Sequence, residues 1–236
     1  MSNERRKFLW TAALGAAGLS PLLQGARGDD KKDKQEGSED DVSAPEDLMR
    51  EHGVLNRTLL VYEEGLRRLH DKEDVGPELF MKAATLIRKF VEDYHEKDEE
   101  HFIFPEFEKR KKLTDLTTVL RKQHEAGRVV TDVVLRVAGG DAYTKPDGRK
   151  EMVDAVRAFI RMYRPHETRE DTVLFPALRL MLAEKQMKEI AEQMEKSEQS
   201  VLGDQGFEKA VDEVAAIEKR YGIYDLNQFT PKVSGK

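Results

Sequence analysis

An all-α architecture is expected for this 236-residue chain: an up-down-up-down four-helix bundle followed by additional C-terminal helices. Apolar side chains recur at three- and four-residue intervals through four long stretches, as in helices with one buried stripe. The connections between them are short, which makes successive helices antiparallel neighbours. β-Branched runs are few and the eight prolines are thinly spread, which argues against an all-β chain. The length suits one domain with appendages.

The chain opens with Arg5-Arg6-Lys7-Phe8-Leu9 and then turns apolar through Leu23. A basic segment ahead of about 16 mostly apolar residues is a secretory signal pattern. Arg5-Arg6-x-Phe8-Leu9, with Gly15 and Gly18 keeping the apolar run mild, points to the twin-arginine type. A general secretion signal or a short anchor is the plainer alternative. Ala26-Arg27-Gly28 offers a small-x-small cleavage site, so residues 1–28 are read as the signal. The expected location is the periplasm, either free or tethered to the membrane if the signal stays uncleaved. Without residues 1–28 the net charge moves from −6 to −9, since four basic side chains and one acid are lost. Asp29 to Asp41 then holds seven acids and three lysines with no large apolar residue. Such a segment cannot bury enough surface to order itself, so residues 29–43 are read as a charged, disordered linker.

The bundle is expected over residues 44–182. Ser43-Ala-Pro45-Glu46-Asp47 opens the first helix with a capping serine, an early proline and first-turn acids. It should run to about Asp71 with Leu48, Leu55 and Leu59 on one stripe. Gly76-Pro77 starts a second helix that passes through His95 towards Lys109. The third runs from Thr114 to about Val137 and stops at Gly139-Gly140, and the fourth from about Arg149 to Leu174. Residues 183–236 form a helical extension. Met187, Ile190, Ala191 and Met194 make one apolar face there, and Phe207, Ala210, Val211 and Val214 another. These pack on the bundle's outside or on a second subunit, and the end from Asn227 is a loose tail.

Several function classes fall away. With no cysteine there are no disulfides, iron–sulfur clusters, thiolate zinc sites or covalent c-type haem. Forty basic residues against 46 acidic ones make nucleic acid an unlikely partner. No apolar run reaches the roughly 18 residues a mature spanning helix needs.

The six histidines carry the chemistry. Glu51-His52 on the first helix is followed 43 residues later by His95-x-x-x-Glu99. His124-Glu125 on the third is followed 42 residues later by His166-x-x-x-Glu170. Glu99-Glu100-x-x-Ile103-Phe104-Pro105 is mirrored by Glu170-Asp171-x-x-Leu174-Phe175-Pro176, so the helix pair is an internal repeat. At about 100° per residue, positions i and i+4 lie only some 40° apart on a helix. Each H-x-x-x-E can therefore aim an imidazole and a carboxylate at one point. His52 is in register with Leu48, Leu55 and Leu59, and His124 with Leu116 and Leu120, so both face the core. Four imidazoles and two carboxylates inside a bundle cost several kcal/mol per ion unless compensated. Two divalent cations bridged by the carboxylates would compensate them. Nitrogen and oxygen ligands without sulfur suit non-haem iron, with manganese and zinc as lesser alternatives. His70 lies about 27 Å along the axis from His52, and His101 is rotated roughly 120° from the His95 face, so neither is a candidate. The Phe-Pro pairs read as packing and helix-bend features.

This pattern resembles the hemerythrin-like (HHE cation-binding) family, whose domain is a four-helix bundle holding a non-haem diiron centre. The resemblance covers about Ala44 to Leu182. It implies His52, His95, His124 and His166 as terminal metal ligands and Glu99 and Glu170 as bridges. One departure is Arg128, which stands where the oxygen-carrying hemerythrins have a further histidine one turn after the third-helix one. Arginine stays protonated and cannot ligate. Tyr163 and Asn56 lie near enough to be weighed as substitutes, with core packing the plainer role for Tyr163. Ferritin-like diiron proteins are the nearest rival. Glu92-x-x-His95 fits their E-x-x-H pair, but the matching slot before His166 is Tyr163. The resemblance implies a protein that binds dioxygen or nitric oxide for sensing, storage or scavenging. The alternatives are a peroxide or nitric oxide reductase or ferroxidase, and a structural module with zinc or no metal.

Overall fold

The computed structural model describes residues 42–233. The signal pattern, the charged segment through Asp41 and residues 234–236 lie outside the described residues. Helix α1 spans Ala44–His70; the backbone N–H and hydroxyl of Ser43 both donate to Glu46 at its start. Rod α2 covers residues 78–110, rod α3 Thr114–Gly139 and rod α4 residues 146–181. Two more helices follow, α5 Glu184–Val201 and α6 Gly206–Tyr221. Gly222 closes α6 at φ 74°, a left-handed conformation that costs glycine nothing. Among the described residues there is no strand, and no helix is long and apolar enough to cross a membrane.

Rod α4 starts at Pro146 rather than near Arg149 and runs beyond Leu174 to Met181. Pro176 does not end it, because the helix has already widened. Glu170–Leu174 is a π turn, with the Phe175 N–H bonded five residues back to the Glu170 carbonyl. The wider turn opens the backbone just where a proline ring would otherwise clash with the preceding turn. Rod α2 does the same at Glu99–Ile103, where the Phe104 N–H reaches the Glu99 carbonyl ahead of Pro105. A longer π stretch, Ile87–His95, precedes it.

Rod α1 packs on α2 and α4, and α3 packs on α2 and α4, so the four close a ring. Helices α5 and α6 lie on the outside of α1 and α2 of this same chain. Arg57 of α1 donates to both carboxylate oxygens of Glu218, the Arg50 guanidinium lies 4.4 Å above the Phe207 ring, and Ser197 donates to Asp98 at 2.5 Å. The interior holds two apolar clusters. One includes Leu59, Tyr62, Phe80, Phe90, Val134 and Phe159; the other includes Leu48, Phe104, Phe107, Leu120, Phe175 and Leu178. On every rod the candidate ligands fall between the residues that feed the two clusters. A layer of polar groups thus crosses the middle of the bundle.

Candidate metal centre

His52, His95, Glu99, His124, His166 and Glu170 are all buried, and the structure brings all six together. They form two overlapping groups sharing Glu99: Glu99, His124, His166 and Glu170 in one, His52, His95 and Glu99 in the other. Ligand atoms within each group lie within 4.8 Å of one another. Every imidazole points its Nε2 inward. Glu170 spans the two histidine pairs, with one oxygen 3.4 Å from His52 Nε2 and the other 3.2 Å from His166 Nε2. Glu99 Oε2 lies 3.8 Å from His95 Nε2 and 3.4 Å from His124 Nε2. The Nε2 atoms of His124 and His166 stand 3.2 Å apart, and the His52 and His95 ring centres 4.8 Å apart.

Each outer nitrogen is held by another rod. His52 Nδ1 meets Asp171 at 2.8 Å, His95 Nδ1 meets Glu51 at 2.7 Å, His124 Nδ1 meets Glu100 at 3.1 Å and His166 Nδ1 meets Gln123 at 2.8 Å. A proton on each Nδ1 satisfies these acceptors and leaves the inward Nε2 lone pairs free for a cation. The orienting groups obey the internal repeat. Glu51 and Gln123 each precede a histidine, while Glu100 and Asp171 each follow a glutamate. Pairing Glu51-His52 with His124-Glu125 is therefore the wrong register: Glu125 is exposed, and the counterpart of Glu51 is Gln123. The Phe-Pro pairs also do more than bend helices. Phe175 stacks on His52 at 5.7 Å between ring centres, and Phe104 on His124 at 5.5 Å. Both rings wall the site with apolar surface.

Burial works against a charge on both bridging candidates. All four oxygens of Glu99 and Glu170 are buried without a hydrogen-bond partner. Burial pushes the Glu99 carboxyl well above its ordinary range, and the neighbouring Glu170 adds to this. Burial opposes the Glu170 charge too, but His166 and His52 outweigh it and hold that carboxyl below the usual range. Burial lowers His95 well below an ordinary histidine and takes His124 down to about 4. For His52 burial is outweighed by Asp171 and Glu170, which raise it to about 10. Carboxylate oxygens without a hydrogen-bond partner facing four inward Nε2 atoms fit metal cations bound by nitrogen and oxygen.

The other residues weighed from the sequence stand elsewhere. His70 and His101 are exposed. Asn56 donates its amide to the His52 carbonyl and to Glu167. Tyr163 donates to Glu96. Glu92 accepts from Thr131 at 2.5 Å and pairs with Arg88 at 3.1 Å, so it faces away from the cluster. Arg128 reaches Glu96 and Glu100, each at 2.7 Å, so this guanidinium neutralises acids beside the centre.

The sequence profile of the hemerythrin HHE cation-binding domain matches residues 43–178. The chain belongs to the hemerythrin HHE cation-binding family. Hemerythrin-type domains bind metal cations, typically iron, and the buried His/Glu cluster can hold a metal. Similar proteins include an uncharacterized protein of Mycobacterium bovis and two of Mycobacterium tuberculosis strains. Each is 47% identical over 219 residues, covering 93% of this chain and 85% of the relative. No solved structure matches the chain significantly.

Proposed function

We propose that this hemerythrin-type protein holds two iron ions, one at His52 and His95 and one at His124 and His166, with Glu99 and Glu170 bridging them. Its function on this reading is to bind dioxygen or nitric oxide for sensing, storage or scavenging. The observation that carries it is the set of four buried, partnerless carboxylate oxygens facing four inward Nε2 atoms. Four histidines and two bridging carboxylates leave open coordination positions, and a reduced iron pair there would supply electrons to a diatomic ligand. The chain's own part is to fix each imidazole through its Nδ1 acceptor and to keep water scarce with Phe104 and Phe175. The bundle on this reading runs up-down-up-down. In support, α1 and α3 pass from the Leu48/Phe104 cluster towards the Tyr62/Phe159 cluster, while α2 and α4 pass the other way. Residues 1–28 as a twin-arginine signal would deliver the protein to the periplasm, cleaved or tethered.

The test is anaerobic reduction of the iron-loaded protein followed by stoichiometric nitric oxide or dioxygen. A new visible absorption band that saturates at one ligand per iron pair is expected; an unchanged spectrum would refute small-molecule binding. A second reading, an oxidoreductase acting on peroxide, nitric oxide or ferrous iron, draws on one observation. The Tyr163 hydroxyl, hydrogen-bonded to buried Glu96, belongs to a ring 5.4 Å from that of His166, which puts an exchangeable proton beside the site. Sustained peroxide consumption by the loaded protein, lost in Tyr163→Phe, would favour that reading.

A further inference from the structure

Resting on the two-cation reading above, we propose that the two positions are unequal: the His52/His95 position binds a cation tightly and the His124/His166 position exchanges it. The ligands themselves are symmetric, two imidazoles and shared carboxylates on each side. The groups behind the imidazoles are not. His52 is backed by Asp171 and His95 by Glu51, both carboxylates. Among the described residues neither acid is paired with an arginine or lysine. Glu51 also accepts from the Tyr94 hydroxyl at 2.7 Å, which fixes the carboxylate behind His95.

On the other half one backing group is an amide and the other a carboxylate already in ion pairs. His166 is backed by the amide oxygen of Gln123, at the position the repeat aligns with Glu51. His124 is backed by Glu100, but one oxygen of Glu100 also takes Arg128 at 2.7 Å and the other takes Lys97 at 2.8 Å. A carboxylate behind an Nδ1–H strengthens the opposite nitrogen as a donor and adds a negative charge near the cation. A neutral amide, or a carboxylate shared with two cationic side chains, gives little of either. Asp171, Glu51, Glu100 and Gln123 are thus positioning residues that also set the order of loading.

The experiment titrates the metal-free full chain with Co(II) under anaerobic conditions, followed by calorimetry and by the visible bands of the bound ion. Groups of this kind are typically worth about 10–100-fold in metal affinity, so two steps at least about 10-fold apart are expected. Asp171→Asn keeps the shape and a hydrogen-bond acceptor but removes the charge. It should weaken the first step about 10-fold and shift the one-equivalent spectrum. Gln123→Glu should leave that spectrum unchanged, tighten the second step and close the gap. Far-UV circular dichroism of both metal-free variants checks that they are folded. Two equal steps in the unmodified protein, or Asp171→Asn acting only on the second step, would overturn this inference while leaving the two-cation reading intact. Failure of the unmodified protein to bind any Co(II) would overturn both.

Discussion

Glu99→Gln separates the role of this side chain in metal binding from any role in the fold. Both Glu99 oxygens are buried and neither is hydrogen-bonded, so an amide of the same shape removes no hydrogen bond from the metal-free protein. The metal-free variant should match the parent to within about 1 kcal/mol. With metal the two should part. A cation held at 100 times its dissociation constant stabilises the native state by about 2.7 kcal/mol, so two sites give about 5 kcal/mol. For a folded unit of this size that is a rise in Tm of roughly 10–20 °C. Without the Glu99 carboxylate each position keeps only two imidazoles and Glu170, and most of that rise should vanish. Paired melts of parent and variant, with and without ferrous iron under anaerobic conditions, measure both numbers. Full retention of the metal-induced shift in Glu99→Gln would refute the bridging role. A metal-free variant weaker by about 3 kcal/mol or more would show that these oxygens stabilise the fold without a cation.

Further outcomes are expected of other side chains. His70→Ala and His101→Ala, both at exposed positions, should leave metal content unchanged, as elemental analysis would show. Gly127→Ala would place a methyl 2.2 Å from the Tyr163 hydroxyl oxygen, so it should cost about 1–3 kcal/mol by denaturant unfolding and break the bond to Glu96. Arg128→His leaves Glu96, only 1% exposed, and Glu100 without their guanidinium. It should destabilise the protein by about 3 kcal/mol, whatever it does to the rate of autoxidation.

Much of the candidate site is legible in the sequence because His95 and Glu99, like His166 and Glu170, lie four residues apart and the motif is stated twice. The same four-residue rhythm shows that His52 and His124 face inward with the leucines of their own helices. The orienting groups are harder to see. Glu51, Glu100, Gln123 and Asp171 each sit one residue from a candidate ligand, about 100° round the helix, and so point towards a neighbouring rod. Their partners are far away in sequence, and only the repeat in its correct register, Glu51-His52 against Gln123-His124, hints at them. The π turns leave no pattern of their own beyond the prolines that follow them, so α4 looks as if it should end near Leu174. The stacking of Phe104 and Phe175 on imidazoles depends on those turns and was hidden with them. The apolar faces of α5 and α6 are plain in the sequence, but spacing alone does not distinguish this chain's own α1 and α2 from a second subunit.

The most direct test of the central claim is the metal content and visible spectrum of the aerobically purified protein. About two iron ions per chain with the absorption of an oxygen-bridged ferric pair is the predicted result. Zinc alone, or no metal after anaerobic reconstitution with ferrous iron, would contradict it.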